Sequence, residues 1–579
     1  MNAYNKAVVV LTQIALQTGI CITTGWLLAT TAIENIVFNA DALSPYFQAQ
    51  LITTGLTADP TQLSFARIPS IFPDLATLIG LSAIDPSSNA GVILPRYSWL
   101  IASVFVFLQA EFIRLSLNQS LSKLQTTLIT SFITLGLAIT VEPIRETIGL
   151  LVTPVHHGGN IINTYLLGCL VVWRQPEANL KGHKSNVKLI LGAALISISL
   201  ASNKLFIFTA LMPATLASSL THWAAKKKPR FFSIIKAYKQ HKIALLILTC
   251  ACIAGFTLPL FLNGQCSMPI VIRAWKSYQD LINWIFSDTF YTLCIALSLA
   301  TIALQVKHYA RSFGKSKRVN SILLQPEKSP QFLVGIVFLF TFTFSPLVFV
   351  WLLGELEILP TRYIIAIGAG SCSILILAVA TALMRLEAII HHHHGHRGRI
   401  YSIGLILSGL AIEVPEIGIK KWNLQDTMQN SFRAREKDFF SVATTINKLE
   451  LTHGLSDFWG VTSGTFANIQ STKSHNVSVQ PIHKNGLPDL WATSTHQFLD
   501  HKKSIKPYNF VITSDDSFHQ NIADVYGTPS ETVIIDGSQS KLLLYNDTNS
   551  RNRIQNHLNS KLSTFRRQCN RNKPDFVER

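Results

Sequence analysis

A spanning helix needs about 20 consecutive apolar residues, and this 579-residue chain repeatedly supplies runs close to that length. Ala7–Ile33 comes first, with Lys6 before it and Glu34 after it. Trp99–Asn118, Thr126–Val141, Asn160–Trp173, Lys188–Ala201 and Leu205–Ser219 follow. Ile243–Asn263, Phe290–Val306, Phe332–Gly354, Tyr363–Met384 and Ile400–Val414 complete the series. Counted on that length criterion they make about eleven spans, the shorter ones tilted, re-entrant or merged. Only 14% of residues are charged, against about 25% in soluble domains, so lipid rather than one very large core accounts for the apolar excess. The expected architecture is a polytopic α-helical membrane protein.

The net charge of +18 resembles a nucleic-acid footprint until its distribution is considered. The basic residues concentrate in alternate short loops, as at Lys226, Lys227, Lys228 and Arg230, at Lys315, Lys317 and Arg318, and at Arg385, Arg397 and Arg399. The intervening loops hold far fewer, among them Arg67, Arg96, Arg145 and Arg362. This is the positive-inside pattern. It predicts a cytoplasmic N-terminus in the inner or plasma membrane, an extracytoplasmic C-terminal region, and no nucleic-acid partner. A secretory signal would have a shorter apolar core and a cleavage site of small residues, so the first run reads as an uncleaved anchor. Six of the eight cysteines lie in or beside apolar runs, where they act as small hydrophobes; Cys266 and Cys569 fall outside them, and no disulfide framework is implied.

Three regions are expected. Residues 1–414 form the transmembrane domain, with a large first outer loop over 34–97. Residues 415–548 form a small α/β extracytoplasmic domain, with β-type runs at Val477–Ile482, Asn509–Thr513, Thr532–Ile535 and Lys541–Tyr545 separated by turn signals such as Asp536-Gly537. Residues 549–579, rich in Asn, Arg and Lys, read as a disordered basic tail.

The first outer loop is the richest in chemistry. Asp41 and Asp74 lie there between two membrane-grade runs, and a carboxyl against low-dielectric walls has its pKa raised. A second acid or a divalent cation then separates the two in role. Elsewhere His391-His392-His393-His394-Gly395-His396 is conspicuous, but it lacks the spacing of a structural zinc site and lies on the cytoplasmic side of the predicted topology. No metal site is assigned.

The order of several short elements resembles the GT-C superfamily of membrane glycosyltransferases, specifically uncharacterised bacterial members with a C-terminal extracytoplasmic domain. Asn39-Ala40-Asp41 follows the first span and Phe72-Pro73-Asp74 ends the loop. Pro154-Val155-His156-His157-Gly158-Gly159-Asn160 precedes a later span, and Leu359-Pro360-Thr361-Arg362-Tyr363 opens another. Gly454-Leu455-Ser456-Asp457-Phe458-Trp459-Gly460 lies in the C-terminal domain, with Tyr508-Asn509-Phe510-Val511-Ile512 after it. Ser202-Asn203-Lys204 departs from the pattern, standing where such proteins carry an acid.

The resemblance implies an inverting-type transfer of sugar from a polyprenyl-phosphate-linked donor to a glycan, lipid or protein acceptor on the extracytoplasmic side. Asp41 would be the general base, within hydrogen-bond reach of the acceptor hydroxyl. Asp74 would orient the acceptor or hold a divalent cation. Arg362 and Tyr363, with Arg96, Arg145, His156 and His157, would meet the lipid phosphate, guanidinium suiting it by its planar fork. Asp457 and Trp459 would face the acceptor side. The alternatives are a transporter or lipid flippase, whose broken helices and intramembrane charges are the usual marks, and a non-catalytic envelope-assembly protein.

Overall fold

The computed structural model describes residues 3–32, 40–53, 71–86, 90–154, 158–173, 183–203, 206–224, 329–346, 365–394, 440–457, 477–488, 504–513 and 515–571, with isolated positions between 250 and 300 and at 498. The described chain is mostly helical with one small mixed sheet. It divides into two compact units. One comprises Met1–Ile36, Pro95–Phe256 and Ile270–Leu424; the other comprises Val37–Leu94, Thr257–Pro269 and Gln425–Arg579. The greater part of the predicted first outer loop, Val37–Leu94, thus falls in the second unit.

In the first unit, α1 (Ala3–Thr31), α4 (Ala90–Ser116) and α11 (Ile365–His394) each contain a stretch long and apolar enough to cross a bilayer: Val8–Thr31, Ala90–Ser116 and Ile365–Arg385. A fourth candidate is broken. α5 (Lys123–Thr140) meets α6 (Glu142–Val152) at an angle of 111°. Val141 at the joint is extended and Pro143 follows it in the first turn of α6; proline has no N–H to carry the α5 ladder forward. Shorter apolar helices complete the unit: α7 (Gly158–Val172), α8 (His183–Ser202), a π-helical turn (Ile207–Leu211) leading into α9 (Met212–Ala224), and α10 (Pro330–Thr343). The expected spans over 243–263, 290–306 and 400–414 lie essentially outside the described residues.

Local sequence explains the boundaries. Ser122 caps α5 reciprocally: its hydroxyl accepts from the Gln125 amide (3.2 Å) and the Gln125 side chain accepts from the Ser122 amide (3.0 Å), satisfying two of the donors a helix start leaves orphaned. Just before it, Asn118 and Gln119 adopt φ of 53° and 59°, the left-handed region that Asn tolerates better than most residues. α11 continues without interruption through His394, so the first four histidines of the run extend the helix.

Between apolar helices in lipid there is no hydrophobic driving force, so small residues and interhelical hydrogen bonds hold them together. Both devices occur. A Cβ on Gly25 of α1 would strike the backbone of Ser103 in α4, one on Gly370 of α11 would strike Thr343 in α10, and one on Gly368 of α11 would strike Thr147 in α6. The polar tie centres on Tyr165 of α7, 1% exposed. Its hydroxyl donates to the Ala369 carbonyl of α11 (3.0 Å) and lies 2.5 Å from Ser373 Oγ. Gln109 of α4 donates to the same Ser373 Oγ (2.8 Å) and accepts from Thr134 of α5 (2.9 Å). Phe105 and Phe112 of α4 and Phe342 of α10 surround the tyrosine ring edge-to-face. Tyr165 thus links four helices, and Gln109 extends the tie to α5.

In the second unit, α2 (Ala40–Thr53) packs on a kinked turn (Ile71–Leu75), in which Phe72 is extended, and on α3 (Ala76–Ile84). The sheet comes from the C-terminal region. After α12 (residues 440–448), β1 (His453–Ser456) pairs in parallel with β2 (Ser478–Pro481) on one side and β3 (Phe510–Thr513) on the other. β5 (Lys541–Leu544) runs antiparallel to β3 and to the edge strand β4 (Glu531–Ile534), giving the order β2-β1-β3-β5-β4. Side chains alternate between faces as strand geometry requires. Phe510, Ile512, Leu542 and Leu544 meet Val442, Ala443 and Ile446 of α12. Leu455, Val511 and Leu543 meet Phe518 and Ile522 of α13 (Asp516–Tyr526) on the other face.

Four of the five strands follow the predicted runs; β1 was not foreseen. The predicted disordered tail is also corrected. Thr548–Arg571 forms α14, because Ile554, Leu558 and Leu562 recur every four residues and bury one stripe against the sheet. Mean polarity concealed that stripe.

Candidate functional site

Asp74 lies in the kinked turn that leads into α3, 1% exposed. Asp41 is in the first turn of α2, the helix that packs on this turn and on α3; its side chain is outside the described residues. The α2–α3 contact is unusually polar for a helix pair in an apolar chain. Gln48, Gln50 and Ser82 are all buried, and Gln50 Nε2 donates to Ser82 Oγ at 3.3 Å. A buried polar group needs a partner, and Asp74 is not without an interaction here. The two acids predicted from sequence are therefore carried by helical elements in direct contact, one of them in a buried polar setting.

Arg96 is exposed, in the second turn of α4, and Arg145 is half-buried near the start of α6; both belong to the first unit. His156, His157, Arg362, Tyr363 and Trp459 lie outside the described residues. Among the described residues no three His, Cys, Asp or Glu side chains converge as a metal site would require.

Asp457, half-buried, immediately follows β1, and here the sheet topology matters. From β1 the chain leaves toward β2, whereas from β3 it leaves through α13 toward β4 on the opposite side. Open α/β sheets bind ligands outside the carboxyl ends of strands at such a switch point. That edge carries Asp457, Lys484, Asp515, Asp516 and Lys541. Ser456 Oγ donates to the Ile512 carbonyl (3.0 Å), tying β1 to β3 beside it. Asp515 caps α13 through the Ser517 amide (2.8 Å) and hydroxyl (2.7 Å), with Lys484 Nζ at 3.4 Å. Lys541 Nζ donates to Asp516 at 2.7 Å. The sequence singled out Asp457 but not the charged residues on the same edge, and the strand that carries Asp457 there, His-Gly-Leu-Ser, has no β-branched residue to mark it.

The electrostatics of this domain give it a definite acid response. The Ser517 hydroxyl and amide hold the Asp515 carboxyl below the usual carboxylate range, and Lys541 does the same for Asp516. Burial lowers the His453 imidazole, and the Lys506 ammonium adds to the effect. A carboxyl lowered in the folded state stabilises fully above its unfolded value near 3.8 and loses that contribution as pH falls through the folded value. For His453 the unfolded imidazole takes up a proton first, so stability is complete above 6.5 and declines as pH falls through the lowered folded value. Hydrogen exchange at β3 and β5, corrected for intrinsic pH dependence, is expected to report easier opening at pH 5 than at pH 7. A His453→Gln variant with an unchanged pH slope would remove the histidine from this account.

Compared with known protein families, curated proteins and solved structures, the chain matches none of them.

Proposed function

We propose that the chain is a polytopic membrane glycosyltransferase of about eleven spans, each on the order of 20 residues, that moves sugar from a polyprenyl-phosphate donor to an extracytoplasmic acceptor. The observation that carries this proposal is the buried Asp74 carboxyl in a turn packed on α2, the helix whose first turn holds Asp41. A further support is that the loop with both acids and the C-terminal α/β domain belong to one compact unit, as expected of a domain covering the acceptor.

Asp41 takes the proton of the acceptor hydroxyl as that oxygen attacks the anomeric carbon; Asp74 orients the acceptor or holds a divalent cation. The lipid phosphate departs with growing negative charge, which Arg362 stabilises, with Tyr363, His156, His157, Arg96 and Arg145 as the other candidates. Asp457 and Trp459 contact the acceptor. The N-terminus is cytoplasmic, and the C-terminal domain is extracytoplasmic. In cells lacking the chain, mass spectrometry of lipid extracts should show one polyprenyl-linked sugar accumulating and a surface glycan losing that sugar. Unchanged lipid-linked sugars and unchanged glycans would sink the proposal.

A transporter or flippase is the second reading, favoured by one observation: the 111° break between α5 and α6, since discontinuous helices line substrate paths in such proteins. Loss of solute or lipid translocation in the Asp41→Asn, Asp74→Asn double variant, with glycans intact, would select it.

A further inference from the structure

An ion pair in the last two turns of α4 faces a cavity that the sugar-transfer proposal does not use. Glu111 and Arg114 bond to each other one turn apart. Their side chains, 22% and 12% exposed, are largely withdrawn. Beside them is a cavity of about 520 Å³ between α4, α7 and α8, within the range of small-ligand sites, roughly 300–1,000 Å³.

The lining has a direction. Arg114, Trp173 and Leu191 come from the end of α4, the residue just past α7 and the first half of α8; Leu166 and Leu195 lie further along α7 and α8, away from those ends. The Cys169 thiol, 3.7 Å from the Leu108 carbonyl, fixes the end of α7 against α4. The cavity is therefore charged and aromatic at the helix ends and leucine-lined in depth. Trp at helix ends marks the headgroup level of a bilayer, so polarity falls from headgroup depth toward the hydrocarbon.

The ion pair needs an explanation. An arginine two residues from the end of a spanning helix ordinarily extends its stem to put the guanidinium in water. Arg114 instead turns toward Glu111, and two charges so withdrawn bear a desolvation cost that their mutual attraction alone rarely recovers. Ionisable groups inside a membrane segment are functional by default.

We propose that this cavity holds one zwitterionic glycerophospholipid with a primary ammonium in its headgroup, the phosphate on Arg114, the ammonium on Glu111 and an acyl chain along Leu166 and Leu195. The pairing selects the head. A purely anionic lipid would satisfy Arg114 but place its phosphate a turn from the Glu111 carboxylate; a purely cationic amphiphile would meet the reverse repulsion. Only a head bearing both signs offers each group an opposite charge, and like-charge repulsion is what rejects the others. A primary ammonium also donates hydrogen bonds, which a quaternary one does not. The proposal is independent of sugar transfer, since it uses none of the residues assigned to that reaction.

The full-length protein, purified in detergent, should retain added phosphatidylethanolamine over phosphatidylglycerol in native mass spectrometry by about tenfold, the worth of one charge-assisted hydrogen bond. Glu111→Gln should erase that preference by raising phosphatidylglycerol retention, because Arg114 is then unopposed. Leu166→Trp should reduce retention of both by filling the cavity. A readout on the unaltered cavity charges guards against misfolded variants: brominated phosphatidylethanolamine should quench a component of tryptophan fluorescence that is missing in Trp173→Phe, and brominated phosphatidylglycerol should quench it far less. Equal retention of the two lipids, a preference that survives Glu111→Gln, or equal quenching by the two brominated lipids would overturn the proposal.

Discussion

On the proposed sugar transfer, with Asp41 as general base, asparagine in its place is expected to slow transfer by about 10²–10⁴-fold, the usual contribution of a positioned general base. Asparagine keeps the size of the side chain while removing the proton acceptor. The loss should therefore appear in the rate of the chemical step rather than in donor retention. Asp74→Asn is the sharper comparison. Asp74 is buried, so its substitution tests both an orienting role and local folding, and the two separate experimentally. If Asp74 orients the acceptor, Asp74→Asn should yield normal amounts of membrane protein with impaired transfer. If it is structural, the protein level should fall instead. Transfer measured in membranes with a polyprenyl-phosphate sugar donor, normalised to protein, decides between them. Wild-type transfer in Asp41→Asn would remove the base assignment altogether.

The second large effect is structural. Tyr165→Ala should cost about 3–5 kcal/mol, as deletion of a buried aromatic ring does when the site cannot collapse. Here collapse is hindered because Phe105, Phe112 and Phe342 each contact the ring from a different direction. Tyr165→Phe keeps the ring and loses only the bonds to Ala369 and Ser373. In membrane proteins such bonds average about 0.6 kcal/mol, so this variant should melt close to wild type. Thermal unfolding of detergent-purified protein, followed by light scattering or fluorescence, provides the ranking. Equal melting of Tyr165→Ala and wild type would show that the ring does not organise the bundle. A Phe variant as weak as the Ala variant would instead assign the stabilisation to the hydroxyl network of Gln109, Thr134 and Ser373.

Much of the organisation was legible in the chain because its cause is one-dimensional. Apolar runs of bilayer length identify α1, α4 and α11 without knowledge of their neighbours. β3 and β5 announce themselves as short β-branched or leucine-rich runs between turns, since both faces of the sheet are covered and every residue of β3 is buried. The acids of the first loop stood out for a similar reason: charge is conspicuous beside membrane-grade sequence.

What remained hidden depended on partners distant in sequence. β1 has no strand signature of its own; it is a strand because β2 and β3 pair with it on both sides. α14 looked disordered because composition averages over a helix whose buried apolar side chains, among those described, are Ile554, Leu558 and Leu562. The sharp joint at Val141 and the inward turn of Arg114 toward Glu111 likewise follow from what packs nearby. The sequence by itself determined that the chain is largely apolar helix with a small α/β region, because length and periodicity of apolar residues are local properties. Only the tertiary structure decided which polar groups are buried and which face one another, because burial and pairing are set by elements that meet in space after long separations along the chain.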